Sequence, residues 1–270
     1  MKAAIIANPA SGKDIRRLVA HGSVFDNQEK VRMVRRILVG LAAAGVRDVL
    51  YMPEGYGIVP RALDDLDALE TPVNVAPVDI YVHNTQEDTV NAAAAMQAAG
   101  AAVIIVMGGD GTSRAACKGA RQTPILPLST GTNNVFPVMA EATVAGLAAG
   151  VLACGGVSRE RVGPEEPRGL ALDLDPDFAC KVRAAICPGL FADVGVVKVR
   201  PMRPGVAVPV GLTPCVLALD GEREVEVRGE ECAAVRLAED RLYVADVEKI
   251  LEYARQRGIF LRGAQVCYAN

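Results

Sequence analysis

The 270-residue sequence predicts an α/β fold in its first half and antiparallel β-structure in its second half. Short apolar runs alternate with segments of helical periodicity, which is typical of a parallel sheet with right-handed crossovers. The runs 3–7 and 101–107 are apolar almost throughout, as expected of strands buried on both faces of the sheet. Together these observations predict a Rossmann-like parallel α/β domain at the N-terminus.

Four segments carry apolar residues at helical spacing, and glycine follows two of them. The predicted helices span residues 29–44, 60–69, 88–99 and 247–257. Gly45 and Gly100 come directly after the first and third, where glycine is a preferred terminator. From about residue 160, runs such as 170–175 alternate apolar and polar residues and predict antiparallel strands. We therefore divide the chain into residues 1–153 and 154–246.

Composition excludes several classes of function. A net charge of −3 argues against non-specific nucleic-acid binding, which needs a basic face. The longest apolar stretch, 92–107, is interrupted by Gln97 and Gly100 and is shorter than the roughly 20 residues of a membrane span. Seven cysteines at irregular spacing, without a C-x-x-C pair, predict reduced thiols rather than a disulfide framework. Met1-Lys2 leads straight into a predicted strand and does not show the pattern of a signal peptide. We therefore expect a cytoplasmic protein.

The strand 101–107 ends in a turn of small residues that holds one carboxylate. The turn reads Gly108-Gly109-Asp110-Gly111-Thr112. Glycines let a backbone approach a ligand closely, and a helix predicted from Ser113 would point its positive end at the same place, which suits phosphate. Asp110 would repel phosphate unless a metal lies between them or the carboxylate accepts a proton, and both cases indicate phosphoryl transfer. The alternatives are that Asp110 only caps the helix and that the turn binds nothing.

Two further turns of small residues follow predicted strands. They read Asn8-Pro9-Ala10-Ser11-Gly12-Lys13 and Ser129-Thr130-Gly131-Thr132-Asn133-Asn134. Because the carboxyl ends of parallel strands meet at one edge of a sheet, we expect all three turns to line one ligand crevice. Lys13 suits phosphate as a point charge, or else it is an exposed lysine of a basic helix with Arg16 and Arg17. The asparagines bind phosphate or ribose, or they satisfy their own backbone.

These motifs occur in an order that resembles a known superfamily. The patterns N-P-x-S-G-K, G-G-D-G-T and G-T-x-N-x-F resemble NAD kinases, diacylglycerol kinases and sphingosine kinases. The run 129–137, followed by Glu141-Ala142-Thr143, is similar to one branch, the ATP-NAD-kinase-like proteins typified by acetoin-catabolism protein X. The resemblance is dense from residue 1 to about 153 and thinner afterwards.

The resemblance implies an ATP-dependent kinase that takes part in NADP biosynthesis or a related reaction. ATP would be the phosphoryl donor with Mg²⁺ bridging its phosphates, and NAD or a related small soluble metabolite would be the acceptor. Asp110 would be the general base or would orient the acceptor hydroxyl, and no fixed protein metal site is implied. The implied nucleotide-binding residues are Asn8, Ser11, Gly12, Lys13, Gly108, Gly109, Gly111, Thr112, Thr130, Gly131, Thr132, Asn133 and Asn134.

For the second half, the resemblance implies a β-sandwich that binds substrate and forms a homodimer, with the segment 247–270 returning to the first domain. Asp220-Gly221-Glu222 is either a hairpin turn or, as in the lipid kinases, a source of carboxylates at the cleft. NAD kinases carry an asparagine–carboxylate pair in this domain, whereas residues 184–193 contain Asp193 and no asparagine. This departure motivates two alternatives: a non-catalytic nucleotide sensor and, more remotely, a lipid kinase.

Overall fold

The computed structural model describes residues 1–12, 26–64, 66, 71–130, 134–158, 164–165, 169–187, 190–211, 213–219, 223–239 and 242–261. Its first half contains one five-stranded sheet. The strands are β1 (Lys2–Ala7), β2 (Asp48–Tyr51), β3 (Asn74–Pro77), β4 (Ala101–Gly108) and β5 (Ile125–Ser129). They lie in the order β3-β2-β1-β4-β5, and every neighbouring pair is parallel, which confirms the predicted α/β fold.

Among the described residues of the first half, five helices accompany this sheet. They are α1 (Asn27–Ala43), α2 (Ile58–Leu63), α3 (Gln86–Ala98), α4 (Asp110–Gly119) and α5 (Ala142–Ala153). The predicted helices over 29–44 and 88–99 are confirmed. The helix predicted over 60–69 is shorter than expected, because α2 begins two residues earlier and ends at Leu63. The prediction that α4 begins at Ser113 is wrong, because Gly109 is already extended and takes the N-cap position. Asp110 is therefore the first residue of the helix.

The sheet is buried on both faces, and β4 shows this most clearly. Val103, Ile105 and Met107 belong to the core on the side of α1 and α5. Ile104 and Val106 belong to the core on the side of α3 and α4. All five side chains have no exposed surface, which is the physical reason for the continuous apolar run seen in the sequence.

Helices α1 and α5 approach each other so closely that their backbones touch. A Cβ atom placed on Gly40 would meet the backbone of Thr143, and one placed on Gly146 would meet the backbone of Ile37. Gly150 likewise leaves room for Ala44. These glycines are therefore required by packing, although glycine weakens an isolated helix by up to about 1 kcal/mol relative to alanine.

The second half is antiparallel, as predicted. Its strands are β6 (Pro164–Glu165), β7 (Leu170–Leu174), β8 (Lys181–Cys187), β9 (Leu190–Pro201), β10 (Ala207–Pro209), β11 (Cys215–Leu219), β12 (Arg223–Val227), β13 (Ala234–Arg236) and β14 (Leu242–Tyr243). They form the small sheets β7-β9-β8, β10-β13, β11-β12 and β14-β6. The stacking of these sheets as a sandwich stays a prediction.

The end of the described chain returns to the first half. The backbone N–H of Ala245 donates to the carbonyl of Ile125 over 2.7 Å, which brings the chain alongside β5. Helix α6 (Val247–Gln256) follows, and its Ile250 and Ala254 are buried in the same core as α1 and α5. The predicted terminal helix thus forms part of the α/β half.

Two general features hold for the described residues. None of the helices described has both the length and the apolar character required to cross a membrane. Five cysteines carry free thiols: Cys117, Cys154, Cys180, Cys215 and Cys232.

Candidate functional site

The sheet order places a crevice between the carboxyl ends of β1 and β4. The chain leaves β1 toward α1 on one face of the sheet and leaves β4 toward α4 on the other, so the two connecting loops diverge. Such a switch point is where open α/β sheets bind ligands. The loop after β1 begins with the N–H of Asn8 donating to Met107, and the loop after β5 begins with the N–H of Thr130 donating to Gly108. All three predicted turns therefore leave adjacent strands at the same edge.

Side chains join these three loops to one another. The amide Nδ2 of Asn8 donates to Oγ1 of Thr112 over 2.8 Å, which connects the loop after β1 to the first turn of α4. The hydroxyls of Ser11 and Thr130 share a hydrogen bond of 2.9 Å, which connects the same loop to the one after β5. Thr112 and Thr130 are buried, so their hydroxyls serve these inter-loop contacts. The structure brings all four of these predicted site residues together.

The carboxylate of Asp110 binds the third loop. It accepts the backbone N–H of Val135 at 3.0 Å and that of Phe136 at 2.9 Å. The alternative that Asp110 only caps a helix is wrong, since Gly109 takes the N-cap position and the carboxylate of Asp110 accepts hydrogen bonds from another loop. The candidate catalytic carboxylate is thus held in place by two N–H donors of the loop 134–136.

The glycines beside Asp110 are required by close packing of the loops. A Cβ atom on Gly108 would overlap the side chain of Thr112, and one on Gly109 would lie 2.9 Å from Oδ1 of Asn134. Neither glycine has a positive φ, so close packing rather than backbone conformation requires a residue without a side chain at these positions. Gly12 does have a φ of 78°, a conformation that side chains other than glycine rarely adopt.

Of the remaining predicted site residues, two lie within the described residues and six lie outside them. Gly111 lies in the first turn of α4, where its carbonyl accepts from Nε2 of Gln86 at 3.1 Å. Asn134 donates from Nδ2 to the hydroxyl of Ser129 at 2.7 Å, so it satisfies its own loop. Six predicted site residues lie outside the described residues: Lys13, Gly131, Thr132, Asn133, Asp220 and Glu222.

One charged residue next to this site, Lys30, was not predicted from the sequence. Lys30 has no exposed surface, and its ammonium donates to the carbonyls of Asn8 and Ser11 at 2.8 and 2.7 Å. It also donates to Oδ1 of Asn27 at 3.1 Å. A signal was present, because Lys30 lies one helical turn before Val34 and hence on the buried face of α1.

Electrostatically, the crevice combines an anion-attracting helix end with one carboxylate. The N–H groups in the first turn of α4 have no acceptor within the helix, and the helix dipole adds partial positive charge there. Asp110 lies at this end and has lone pairs beyond those used by Val135 and Phe136. No group of three or more acidic, histidine or cysteine side chains that could hold a metal occurs among the described residues. The arrangement can bind an anion and accept a proton close to it.

Comparison with known proteins identifies the class. The family model described as the ATP-NAD kinase N-terminal domain matches residues 4–157, which is more than half of the chain. The chain belongs to the ATP-NAD kinase family.

Within that family, the resemblance to acetoin catabolism protein X is also supported. The model described as the acetoin catabolism protein X C-terminal domain matches residues 130–240. Acetoin catabolism protein X of Cupriavidus necator is 43% identical to this chain over 155 residues. These residues make up 56% of this chain and 43% of that protein, so the match spans less than half of the relative. No solved structure matches the chain.

Proposed function

We propose that this chain is an ATP-dependent kinase that transfers a phosphoryl group to a hydroxyl of NAD or a related small soluble metabolite. The observation that carries the proposal is the joining of three loops around the first turn of α4, with Asp110 at their meeting point. Phosphoryl transfer relies mainly on positioning and on electrostatic stabilisation, and this arrangement is suited to both. Family membership supports the kinase-like class of function.

In this proposal the glycine-rich turns hold ATP through backbone N–H groups. The first turn of α4 faces the phosphates, and the loop that contains Asn8, Ser11 and Gly12 forms the opposite wall. Asp110 orients the acceptor hydroxyl or takes its proton, using lone pairs that Val135 and Phe136 leave free. Since two N–H donors hold the carboxylate, its position is set before the substrate arrives.

The donor set also fits Mg²⁺ arriving with ATP. Magnesium usually keeps waters and binds through one or two carboxylates together with substrate phosphates. Asp110 offers one carboxylate at the crevice. When bound, Mg²⁺ would neutralise charge on the phosphates.

Other residues have proposed roles that rest on their positions in the sequence. Lys13 would contact phosphate, and the residues Gly131, Thr132 and Asn133 would approach the nucleotide. Asp220 and Glu222 of the second half would supply carboxylates to the acceptor side. Residues 1–153 would then be the nucleotide-binding part and residues 154–246 the substrate and dimer part.

The experiment that tests the proposal is release of ADP from Mg-ATP, measured with and without NAD. We expect NAD-dependent release that falls by at least a hundredfold in Asp110→Asn, within the range usual for general-base catalysis. Asp48→Asn is the matched control, because Asp48 begins β2 at the opposite edge of the sheet. Lack of turnover with NAD would exclude NAD as acceptor and direct the search to sugars and polyols. Full activity of Asp110→Asn would refute its catalytic role.

One observation favours the second candidate, a non-catalytic nucleotide sensor. The carboxylate of Asp110 already has a structural task, since it holds the loop 134–136. A sensor would be stabilised against heat by ATP and would release no ADP with any acceptor. The same set of assays therefore separates the two functions.

We also propose that the protein is a homodimer that forms through the sheet β7-β9-β8. Leu170, Leu172 and Leu174 alternate on one face of β7 and are 64%, 48% and 56% exposed. Val199 pairs with Leu172 across the strands and is half exposed on the same face. A contiguous apolar surface of this kind on a folded chain marks an interaction site.

The free thiols and the small-metabolite substrate favour the cytoplasm as the compartment.

A further inference from the structure

Lys30 is a cation in an unfavourable place. It is the fourth residue of α1, close to the positive end of the helix dipole, and it has no exposed surface. Burying a charge costs free energy unless polar groups surround it. The contacts that Lys30 makes must therefore offset this cost.

Two of those contacts are made to the loop after β1. The ammonium of Lys30 donates to the carbonyl oxygens of Asn8 and Ser11 at 2.8 and 2.7 Å. These two carbonyls lie near the two ends of the described loop, so a single side chain holds the loop against α1. The side chains of the same two residues reach in other directions, to Thr112 and to Thr130.

The direction of the carbonyls has an electrostatic consequence. In a trans peptide the carbonyl and the following N–H point in opposite directions. With the carbonyl of Ser11 turned to Lys30, the N–H of Gly12 is directed away from Lys30. Carbonyl oxygens repel anions, and N–H groups attract them. Turning both carbonyls toward Lys30 therefore removes two repelling oxygens from the other side of the loop, and the peptide between Ser11 and Gly12 also directs an N–H there. The peptide after Asn8 adds no N–H, because Pro9 has none.

We infer that Lys30 is the positioning residue of the anion site: it draws the carbonyls of Asn8 and Ser11 inward and so prepares this loop for phosphate groups. Lys30 acts through the loop and does not itself contact the ligand. The inference rests on the proposed function where it names nucleotide phosphates as the anion, and on the geometry alone where it concerns the order of the loop.

The first test measures hydrogen exchange of the backbone amides of residues 10–12 in the ligand-free protein. We expect at least tenfold faster exchange in Lys30→Met, because the loop loses its hold on α1. Lys2→Met is the matched control: Lys2 also donates to a backbone carbonyl, that of Ala99, but it is exposed and lies at the other end of β1. Equal exchange rates in Lys30→Met and the wild-type protein would overturn the inference.

The second test compares the affinities of ATP and adenosine. We expect Lys30→Met to weaken ATP binding about tenfold or more and to leave adenosine binding unchanged, since only ATP carries phosphates. Equal weakening of both ligands would mean a general structural role and would overturn the inference. If the wild-type protein binds no ATP, the proposed function fails, and the exchange measurement still decides whether Lys30 orders the loop.

A milder variant keeps the test decisive if Lys30→Met does not fold. Asn27→Ala removes one acceptor of the ammonium and leaves the charge of Lys30 in place. Because Asn27 helps to hold the ammonium at the carbonyls of Asn8 and Ser11, we expect the same amides to exchange faster, by a smaller factor than in Lys30→Met. Unchanged exchange in a folded Asn27→Ala protein would then count against the inference.

Discussion

The side-chain amide of Asn8 donates to the hydroxyl of Thr112 over 2.8 Å, across 104 positions of sequence. This contact joins the loop after β1 to the first turn of α4, the helix that follows β4. Both loops belong to motifs that carry the family resemblance. The hydrogen bond shows that these motifs form one structural unit at the switch point of the sheet.

The contribution of this contact is measured by replacing Thr112. Thr112→Val keeps the shape and removes the hydroxyl, which leaves the amide of Asn8 without this acceptor. We expect the free energy of unfolding to fall by about 1–2 kcal/mol, and the KM for ATP to rise. Thr112→Ser keeps the hydroxyl and is the control, with a smaller loss of stability. Equal stability of the valine variant and the wild-type protein in urea unfolding would contradict the role of the contact.

Asp110 is expected to stabilise the fold as well as to act on substrate. Asp110→Asn places an NH₂ group where two backbone N–H groups now find a carboxylate. Unfolding in urea should show a loss of about 1 kcal/mol, whereas Asp48→Asn should show a much smaller change. If stability does not change, the loop 134–136 is held by other contacts.

The close contact between α1 and α5 predicts a change in stability opposite to the one that helix propensity alone would predict. Gly146→Ala should favour an isolated helix by up to about 1 kcal/mol, yet its Cβ would overlap the backbone of Ile37. We therefore expect a net loss of about 1–3 kcal/mol, as for other overpacked sites. Gly211→Ala is the control, since its Cβ would meet nothing within 4 Å. A thermal melt in which Gly146→Ala is more stable than the wild-type protein would refute the close approach of the helices.

Cys117 gives a prediction about pH. Burial of this side chain on α4 raises the pKa of its thiol from 9.0 to about 11. Because the thiolate is the reactive form, Cys117 should react with iodoacetamide far more slowly at pH 8.5 than the exposed Cys232. Since the pKa of this thiol is higher in the folded protein than in the unfolded chain, its contribution to the free energy of unfolding is fully present below pH 9. That contribution is lost as the pH rises toward 11.

Cys117→Ala tests that pH dependence directly. The variant should lose less stability than the wild-type protein between pH 9 and pH 11, since it has no thiol to ionise on unfolding. Mass spectrometry of the alkylated native protein identifies which cysteines react. Labelling of Cys117 and Cys232 at equal rates would contradict the partial burial of Cys117.

The exposed face of β7 gives a prediction about assembly. Leu172→Asp places a charge in the centre of the apolar surface and should convert the proposed dimer to a monomer in light scattering. Val39→Asp is the control, because Val39 is similarly exposed but lies on α1. A wild-type protein that is monomeric at micromolar concentration would refute the homodimer.

Much of the α/β half could be predicted because its signals are local. The strand 101–107 is buried on both faces, so its sequence is continuously apolar, and helix α1 repeats its apolar residues every turn. The start of α4 was misplaced because Gly109 acts as N-cap through its backbone conformation and contributes no side-chain signal. Lys30 was missed because a charged residue on a helix is usually exposed.

The sequence by itself determined the alternation of strands and helices, the positions of the three small-residue turns and the family to which the chain belongs. These follow from periodicity and from residues that are neighbours along the chain. Only the tertiary structure decided that Asp110 binds the loop 134–136, that Gly108 makes room for Thr112 and that Lys30 holds the loop after β1. Such contacts join residues that are far apart in sequence, and they arise only when the parallel sheet brings its carboxyl ends to one edge.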